Sequence, residues 1–381
     1  MPIVHDIFNP AHYRKVDLPL NECESLPRWA FTSEAFYQRE VEHVFLKAWN
    51  FVGRADEIPN PGDYFTMTLA GEPIILIRDR AGTIRALANA CQHRGAKMLE
   101  GKGNVRAIKC PYHAWVYGID GTLTGIPDME QCVGFKREDY GLASIKVESW
   151  AGFLFVNFDP HSVSLMEFLG DLPEQFASYN YDDMVVTRRV EFDLDCNWKI
   201  YAENSTEVYH TPTVHGASLG KQLADYVPAR GNWSAIHMPG EETCAVLPQD
   251  NSPFPQIAGL TGRPRHGTHF ALVFPSTTLC CTHDCMWWLA AYPVSASKSL
   301  LSVGSCFPRS TVARPDFEEV VKKYYHRWDT ATPEDNWVAA MQQAGLASTL
   351  RTAGRMSWNE PVVHDLAMWI KARVIGNATP A

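Results

Sequence analysis

Four metal-ligating side chains lie in two short segments of this chain, and their spacing constrains the fold more than any other feature. Cys91-Gln92-His93 is followed, after sixteen residues, by Cys110-Pro111-Tyr112-His113, so each segment offers one thiol and one imidazole. Gly95 and Gly101 favour tight loops, whose backbone N–H groups can face the sulfur atoms. The pattern predicts two neighbouring loops that share one metal centre.

This ligand set matches a Rieske 2Fe–2S cluster. In such a cluster two thiolates hold one iron and two imidazoles hold the other, and the neutral imidazoles raise the reduction potential. The alternative is a structural zinc ribbon, although zinc sites more often group their ligands as closely spaced Cys and His pairs. We therefore interpret Cys91, His93, Cys110 and His113 as the ligands of a Rieske cluster.

A second group of ligating residues follows further along the chain. Glu207 and His210 are three residues apart and would share one face of a helix, which Pro212 is expected to interrupt. His215 could then approach the same metal as His210. Two histidines and one carboxylate with open coordination positions form the facial triad of non-haem Fe(II) oxygenases. The open positions are needed to bind O2 beside the substrate.

Spacing does not fix the carboxylate of this triad, because the chain has 43 acidic residues. Asp335 lies in a segment in which Pro333 suits the first position of a helix. Asp335 is therefore either an inward-facing ligand or the capping-box acid three residues after Thr332. Asp329 and Glu334 are the other candidates for the third ligand.

Hydrophobic periodicity divides the chain into two kinds of structure. Residues 34–50 show helical spacing, and from 63 to about 158 short strands alternate with turns, which predicts a small all-β domain. A strand is predicted over 186–194, followed by a helix that runs from Asn197 towards Tyr209. Further strands are predicted near 270–280, 286–292 and 299–307, and further helices over 315–328, 333–346 and 361–374. The expected fold class is α+β, with an antiparallel sheet and long helices in the second domain.

Together these segments resemble the Rieske non-haem iron oxygenases, the terminal oxygenase subunits of ring-hydroxylating and related enzymes. The resemblance covers nearly the whole chain and includes Trp150-Ala151-Gly152-Phe153 and Asn197-Trp198-Lys199 besides the two ligand groups. It implies a Rieske domain over 45–160 joined to a helix-grip catalytic domain over 161–381. Residues 1–44 are expected to form an arm and helix that pack on the catalytic domain.

The resemblance also implies roles for individual residues. The implied ligands of the mononuclear iron are His210, His215 and Asp335. Family members usually assemble as trimers in which the cluster of one subunit serves the iron of its neighbour. The implied relay runs from the partner subunit's His113 through Glu207 to His210, and Asn204 is expected at the same site. A Glu at the bridge, where most members have Asp, is similar to the subset acting on quaternary ammonium compounds such as carnitine.

The predicted protein is a terminal oxygenase that hydroxylates a small aromatic or alkylammonium substrate, with N- or O-dealkylation where the carbon adjoins nitrogen or oxygen. Electrons would come from NAD(P)H through a separate reductase or ferredoxin, because the chain shows no GxGxxG fingerprint. The alternatives are a cis-dihydroxylating ring dioxygenase and, in another class, a Rieske electron carrier without catalysis. Candidate substrate contacts are Trp233, Phe270, Trp287 and Trp288, for each of which a position in the core is the alternative.

Composition argues against several other classes. The chain has 34 basic and 43 acidic residues, and the net charge of −9 disfavours nucleic-acid binding through phosphate contacts. No segment approaches the ~18 apolar residues of a membrane span, and the N-terminus lacks a signal-peptide pattern. We expect a cytoplasmic homotrimer in which the eight cysteines outside the cluster are small buried residues rather than disulfide partners.

Overall fold

The computed structural model of the chain describes residues 6–250 and 253–376. The chain divides into two compact units: one runs from Leu46 to Leu165, and the other combines the chain up to Phe45 with the chain from Met166 onward. Within the described residues, no helix combines the length and apolar composition that a membrane crossing requires.

The unit over Leu46–Leu165 is built from β-strands. Its strands are β1 (Asn50–Arg54), β2 (Asp63–Leu69), β3 (Glu72–Arg78), β4 (Ile84–Ala88), β5 (Lys102–Asn104), β6 (Ile108–Lys109), β7 (Val116–Tyr117), β8 (Leu123–Gly125), β9 (Ser144–Trp150) and β10 (Phe153–Asn157). Seven form an antiparallel sheet in the order β1-β10-β9-β4-β3-β2-β5, and three form the sheet β6-β7-β8. Two 3₁₀ turns, Ala55–Glu57 and Arg137–Tyr140, complete the unit.

Two hairpins of this unit agree with the predicted alternation of short strands and turns. β3 and β4 pair antiparallel with Ile74 opposite Ala88, and β7 pairs with β8 around a turn that contains Gly121. The apolar side chains of these strands form a core that includes the thiols of Cys91 and Cys110. The core that these two hairpins share therefore supports both predicted cluster loops.

The other unit is built around its own seven-stranded antiparallel sheet, whose strand order is β11-β17-β16-β15-β14-β13-β12. Its strands are β11 (Met184–Leu194), β12 (Asp225–Val227), β13 (Trp233–Pro239), β14 (Gly267–Val273), β15 (Thr277–Cys281), β16 (Met286–Ser295) and β17 (Lys298–Pro308). Its α-helices are α1 (Trp29–Thr32), α2 (Glu34–Glu40), α3 (Leu165–Leu169), α4 (Leu172–Gln175), α5 (Trp198–Asn204), α6 (Thr211–Val214), α7 (Arg309–Val312), α8 (Phe317–Leu346) and α9 (Pro361–Val374). The mixture of antiparallel sheets and helices confirms the predicted α+β class.

Three helix predictions need correction. The helix predicted over 34–50 ends at Glu40 and continues only as a π-helical turn over Val41–Phe45. The helix after Asn197 begins as predicted, with the Asn197 side chain accepting from the N–H of Lys199, but it ends at Asn204. The two helices predicted over 315–328 and 333–346 are one helix, α8, because packing tolerates a proline that local propensity would place at a helix start.

A buried ion pair anchors α5 within this unit. Lys199 Nζ lies 2.7 Å from Glu40 Oε1, and both side chains are fully buried. The indole N–H of Trp198 donates to the other carboxylate oxygen of Glu40 (3.2 Å). Helix α5 in turn packs against β16 and α8. This arrangement fixes the helix whose last turn reaches the pocket described below.

None of the ten cysteines forms a disulfide. Most of those outside the predicted cluster are buried, as expected for small apolar residues. The prediction is wrong for Cys132, which is exposed in a turn-rich segment, and only partly right for Cys244, which is half-buried.

Candidate metal centres and catalytic pocket

The two segments with cluster-ligand spacing form loops with the same backbone hydrogen bonds. The N–H of Gly95 donates to the carbonyl of Cys91 (2.8 Å), and the N–H of Ala114 donates to the carbonyl of Cys110 (3.2 Å). The N–H of each cysteine also donates to the carbonyl five residues later, at 3.0 and 2.8 Å. The fourth residue after each cysteine has a positive φ, +75° at Gly95 and +57° at Ala114. The two loops therefore repeat one local structure.

The four candidate cluster ligands differ in exposure. Cys91 and Cys110 are buried, His113 is half-buried and His93 is exposed, and the two imidazole centroids lie 4.6 Å apart. Nδ1 of His113 is buried and has no hydrogen-bond partner, so it is available as a ligand. These donors fit a Rieske cluster whose thiolates come from the core and whose imidazoles lie towards the surface.

A tyrosine hydroxyl supports the first loop. Tyr117 Oη accepts from the backbone N–H of Gln92 (3.0 Å) and lies 3.3 Å from Sγ of Cys91. Burial raises the pKa of Tyr117, so its hydroxyl stays protonated and can donate to a Cys91 thiolate. Such a hydrogen bond would tune the reduction potential of a cluster held there.

The second ligand group is brought together by a turn and not by the predicted helix. α5 ends at Asn204, and the chain turns before α6 begins at Thr211. Glu207 nevertheless contacts His210, because its Oε1 lies 2.6 Å from Nδ1 and its Oε2 accepts from the backbone N–H of His210 (3.1 Å). Pro212 lies in the first turn of α6 and does not interrupt a helix, since the N–H groups of a first turn have no partner within the helix.

Each of the two histidines lies between two carboxylates. Nδ1 of His210 faces Glu207 and Nδ1 of His215 faces Glu334, both at 2.6 Å. The Nε2 atoms of the same rings lie 3.5 and 3.1 Å from Oδ1 of Asp335. Burial lowers the pKa of His215, but the contacts with Asp335 and Glu334 outweigh it and raise the pKa overall. The surroundings therefore stabilise positive charge at this position.

These groups fit a single metal ion. His210, His215 and Asp335 each offer one ligand atom, and these atoms lie within 4.8 Å of one another. Oδ1 of Asp335 is buried and accepts no hydrogen bond from a described residue, although both imidazoles face it. Two imidazoles and one carboxylate next to a pocket are the donor set of a mononuclear Fe(II) site. Glu207 and Glu334 would fix the orientation and tautomer of the two rings.

The structure distinguishes the three candidate carboxylates. Asp335 faces both imidazoles, whereas Glu334 accepts from His215 on the side away from Asp335. Asp329 forms a bidentate salt bridge with Arg188, at 2.8 and 3.0 Å, outside this group. The capping-box interpretation of Asp335 is wrong, because α8 begins eighteen residues earlier.

A pocket lies beside the three residues. Its lining combines residues of α5, α6 and α8 with the face of the sheet formed by β13, β14 and β16. Of the side chains singled out in the sequence, Asn204, Glu207, Phe270 and Trp287 contribute to it. The predicted catalytic, metal and aromatic residues are thus brought into one cavity, with two exceptions.

The exceptions are Trp233 and Trp288, which do not line this pocket. Trp288 follows Trp287 on β16 and therefore points to the opposite face of the sheet, where its ring lies against Gly304. The indole N–H of Trp233 donates to Asp171 (3.1 Å), again away from the pocket. Both are core residues, because side chains alternate between the two faces along a strand and these two lie on the face away from the pocket.

Sequence reasoning missed three residues of the site. The sequence offers Glu334 as a candidate metal ligand, but the structure places its carboxylate against Nδ1 of His215. Arg327 and Tyr201 line the pocket, and they precede Asp335 by eight and Asn204 by three residues on α8 and α5. Helical spacing from those two predicted residues is the signal that could have found them.

Two family models account for most of the chain. The Ring hydroxylating alpha subunit (catalytic domain) model matches residues 181–376, which is slightly more than half of the chain. The Rieske [2Fe-2S] domain model matches residues 48–148. The predicted Rieske cluster and mononuclear iron are confirmed as the cofactors of this type of protein. The presence of the catalytic domain contradicts the stand-alone electron carrier, and the Rieske domain contradicts the zinc ribbon.

The chain is also similar to characterised oxygenases. It is 32% identical over 216 residues to the carnitine monooxygenase oxygenase subunit of Acinetobacter baumannii, an alignment that covers 56% of this chain and 57% of the relative. The chain thus matches little more than half the length of that relative. It is 28% identical over 347 residues to the carnitine monooxygenase oxygenase subunit of Escherichia coli K12, covering 87% of this chain and 88% of the relative.

The fold is shared with a solved quaternary ammonium Rieske monooxygenase, whose structure is described in terms of carnitine oxidation and inter-subunit electron transfer. The two structures superpose with a TM-score of 0.77 at 24% identity, over 92% of this chain and 96% of the other. This likeness establishes the fold of the present chain. With the two family models, it shows that the chain belongs to the ring-hydroxylating alpha subunits, a family of Rieske non-haem iron oxygenases.

Proposed function

We propose that this chain is the terminal oxygenase subunit of a monooxygenase that hydroxylates a carbon atom of a small quaternary ammonium compound. The observation that carries the proposal is the convergence of His210, His215 and Asp335 at one pocket that also contains Glu207 and an aromatic wall. Iron(II) held by the three ligands would supply the centre at which O2 is activated.

Two glutamates orient the candidate histidine ligands at this site. Glu207 and Glu334 hold the two imidazoles through Nδ1, which leaves both Nε2 atoms directed at Asp335. Held in this way, the rings need no reorganisation when a metal binds, and the side of the ligand group towards the pocket stays open to substrate.

The substrate class is inferred from the relatives and from the pocket wall. Both curated relatives described above are carnitine monooxygenase subunits. In this chain Phe270 and Trp287 line the pocket with their rings 6.0 Å apart and nearly perpendicular. Aromatic faces attract a quaternary ammonium group, whose charge cannot form hydrogen bonds. These two observations favour an alkylammonium substrate over an unsubstituted arene.

We further propose that electrons reach the pocket from another subunit of a homotrimer. Glu207 is only 11% exposed, yet it contacts Nδ1 of His210 at the rim of the site, next to the exposed Tyr209. In the Rieske unit, His113 is half-buried beside the exposed ring of Tyr112. The partner subunit's His113 would dock against Glu207, and a separate NAD(P)H-dependent reductase or ferredoxin would reduce the cluster. A cytoplasmic location is consistent with ten cysteines of which none forms a disulfide.

Product analysis tests the proposed reaction. The iron-loaded protein, a surrogate reductase, NADH and O2 are incubated with a panel of alkylammonium compounds and aromatic acids, and products are identified by mass spectrometry. We expect a hydroxylated or dealkylated product from a quaternary ammonium compound. Oxygen consumption without any such product, or cis-diol formation from an arene as the only reaction, would contradict the proposal.

The inter-subunit relay has its own test. Glu207→Gln should keep the cluster and, at saturating Fe(II), the mononuclear iron, but abolish product formation, because a neutral amide cannot hold two imidazoles in the same way. The matched control is Glu241→Gln, which changes an exposed glutamate paired with the exposed His266. Near-normal turnover of Glu207→Gln would contradict the assignment of the bridge.

A further inference from the structure

One cation in the catalytic pocket has no counter-charge. Arg327 lines the pocket and is 8% exposed, and its guanidinium carbon lies 5.1 Å from the centroid of the Trp287 ring. Its Nε donates to the carbonyl of Cys244 (3.0 Å). Among the residues that the structure describes, no carboxylate forms a salt bridge with Arg327. A buried guanidinium without a counter-ion is costly unless a ligand supplies one.

A second donor in the same pocket also has no partner. The hydroxyl of Tyr201 is buried and forms no hydrogen bond with any described residue. Burial raises the pKa of Tyr201, so the hydroxyl stays protonated and can donate a hydrogen bond. Both Arg327 and Asp335 contribute to the electrostatic surroundings of this hydroxyl. Asp335 is committed to the proposed metal site, which leaves Arg327 and Tyr201 as two unmatched donors.

We propose that Arg327 and Tyr201 bind a carboxylate of the substrate, so that the enzyme selects carboxylate-bearing molecules over their neutral counterparts. The planar guanidinium can donate two parallel hydrogen bonds to a carboxylate, and a tyrosine hydroxyl can add a third. This inference rests on the proposed function and narrows its substrate class. The substrate would be a zwitterion that carries both a quaternary ammonium group and a carboxylate.

Arg327 also limits where the ammonium group can lie. One face of Trp287 is already occupied by the guanidinium, which would repel a second cation placed beside it. Phe270 stands nearly perpendicular to Trp287, at 6.0 Å, in the same wall. A bound zwitterion would therefore direct its carboxylate towards Arg327 and Tyr201 and its ammonium group towards Phe270, the ring of this wall that is further from the guanidinium charge.

Calorimetric titration of the iron-loaded protein tests the inference with matched pairs of probes. Glycine betaine and choline share a trimethylammonium group and differ in the carboxylate, and benzoate and benzamide differ in the same way without an ammonium group. We expect glycine betaine to bind about tenfold or more tightly than choline, as charged hydrogen bonds to a buried site would give. If benzoate alone is preferred over its neutral partner, the carboxylate site stands and the quaternary ammonium substrate is wrong.

Variants identify the residues responsible. Arg327→Met should weaken glycine betaine binding about tenfold or more and leave choline nearly unchanged, and Tyr201→Phe should show the same selectivity with an effect of about three- to tenfold. Arg188→Met is the matched control, since its salt bridge to Asp329 lies outside the pocket. If Arg327→Met does not fold, Arg327→Lys, which keeps the charge but loses the planar fork, should give an intermediate loss. Equal binding within both probe pairs, or unchanged selectivity in the folded variants, would overturn the inference.

Discussion

The two metal centres of this chain are built in opposite ways. All four candidate cluster ligands lie within residues 91–113, on two loops with the same hydrogen bonds. The three candidate iron ligands combine a turn and a short helix near residue 210 with a helix more than a hundred residues later. In the first centre the backbone and one tyrosine support the sulfur ligands, whereas in the second two carboxylates hold the imidazoles. A local site can be recognised from spacing, but a site assembled by tertiary structure cannot be completed from spacing.

The largest expected effect is the complete loss of one metal centre while the other is retained. Asp335→Ala should remove the mononuclear iron and abolish product formation while leaving the cluster intact, because the two centres share no ligand. Iron and acid-labile sulfide analysis of the purified variant measures this. Asp329→Ala is the matched control, since its carboxylate pairs with Arg188 instead. Full iron content in Asp335→Ala would contradict the ligand assignment.

A smaller effect is expected from the carboxylate behind His215. Glu334→Gln should weaken iron binding about 10- to 100-fold without loss of cluster absorbance, because the ring loses its charged partner at Nδ1. Equilibrium dialysis against Fe(II) under anaerobic conditions gives the affinity. Ser218→Ala provides a graded comparison, since this hydroxyl donates to the same carboxylate oxygen (2.7 Å) and its loss leaves the imidazole contact in place. Unchanged iron affinity in Glu334→Gln would mean that Glu334 does not support the ligand.

The contrast between the centres also explains what the sequence could predict. The family, the α+β class, the strand-and-turn character of the first unit and the cofactors followed from local motifs and periodicity. Asp335 remained one of several candidates because Pro333 favours a helix start locally, whereas packing keeps it inside α8. Glu207 was expected to meet His210 through a helix, but a turn produces that contact.

The aromatic residues show a different limit. Trp287 and Trp288 were equivalent candidates by composition, yet neighbours on a strand must point to opposite faces. Which of the two side chains lines the pocket depends on which face of the sheet borders it, and the tertiary structure determines that. Nothing in the sequence around Arg327 alone indicates that it lines the pocket, because a charged residue in a long helix is usually solvated.

In the cluster loops, one hydroxyl is expected to tune the reduction potential. Tyr117→Phe removes the donor 3.3 Å from Sγ of Cys91 and should lower the potential by about 20 to 60 mV, the equivalent of one neutral hydrogen bond in a one-electron couple. Spectroelectrochemical titration of the cluster measures the shift. Tyr64→Phe is the control, because its long hydrogen bond to Glu100 is exposed. A potential equal to that of the wild type would exclude Tyr117 as a tuning residue.

The smallest effect compares the two loops with each other. Gly95→Ala should destabilise the protein by about 1 kcal/mol, because a Cβ is unfavourable at φ +75° even with open space around it. Ala114→Gly should have the opposite or no effect, since Ala114 already carries that strain at φ +57°. Thermal unfolding followed by cluster absorbance gives the comparison. Equal destabilisation by both changes would show that the loops are not equivalent.

Metal stoichiometry shows whether one chain carries both a two-iron cluster and a separate mononuclear iron. We expect purified wild-type protein to contain two cluster irons with two acid-labile sulfides and one further iron per chain, with a Rieske-type absorption spectrum. Chelation under mild anaerobic conditions should remove the single iron first, because its three candidate ligands line a pocket, whereas the two candidate cluster thiolates are buried in the core. A colourless protein that contains only zinc, or iron and sulfide in equal amounts with no further iron, would contradict the account.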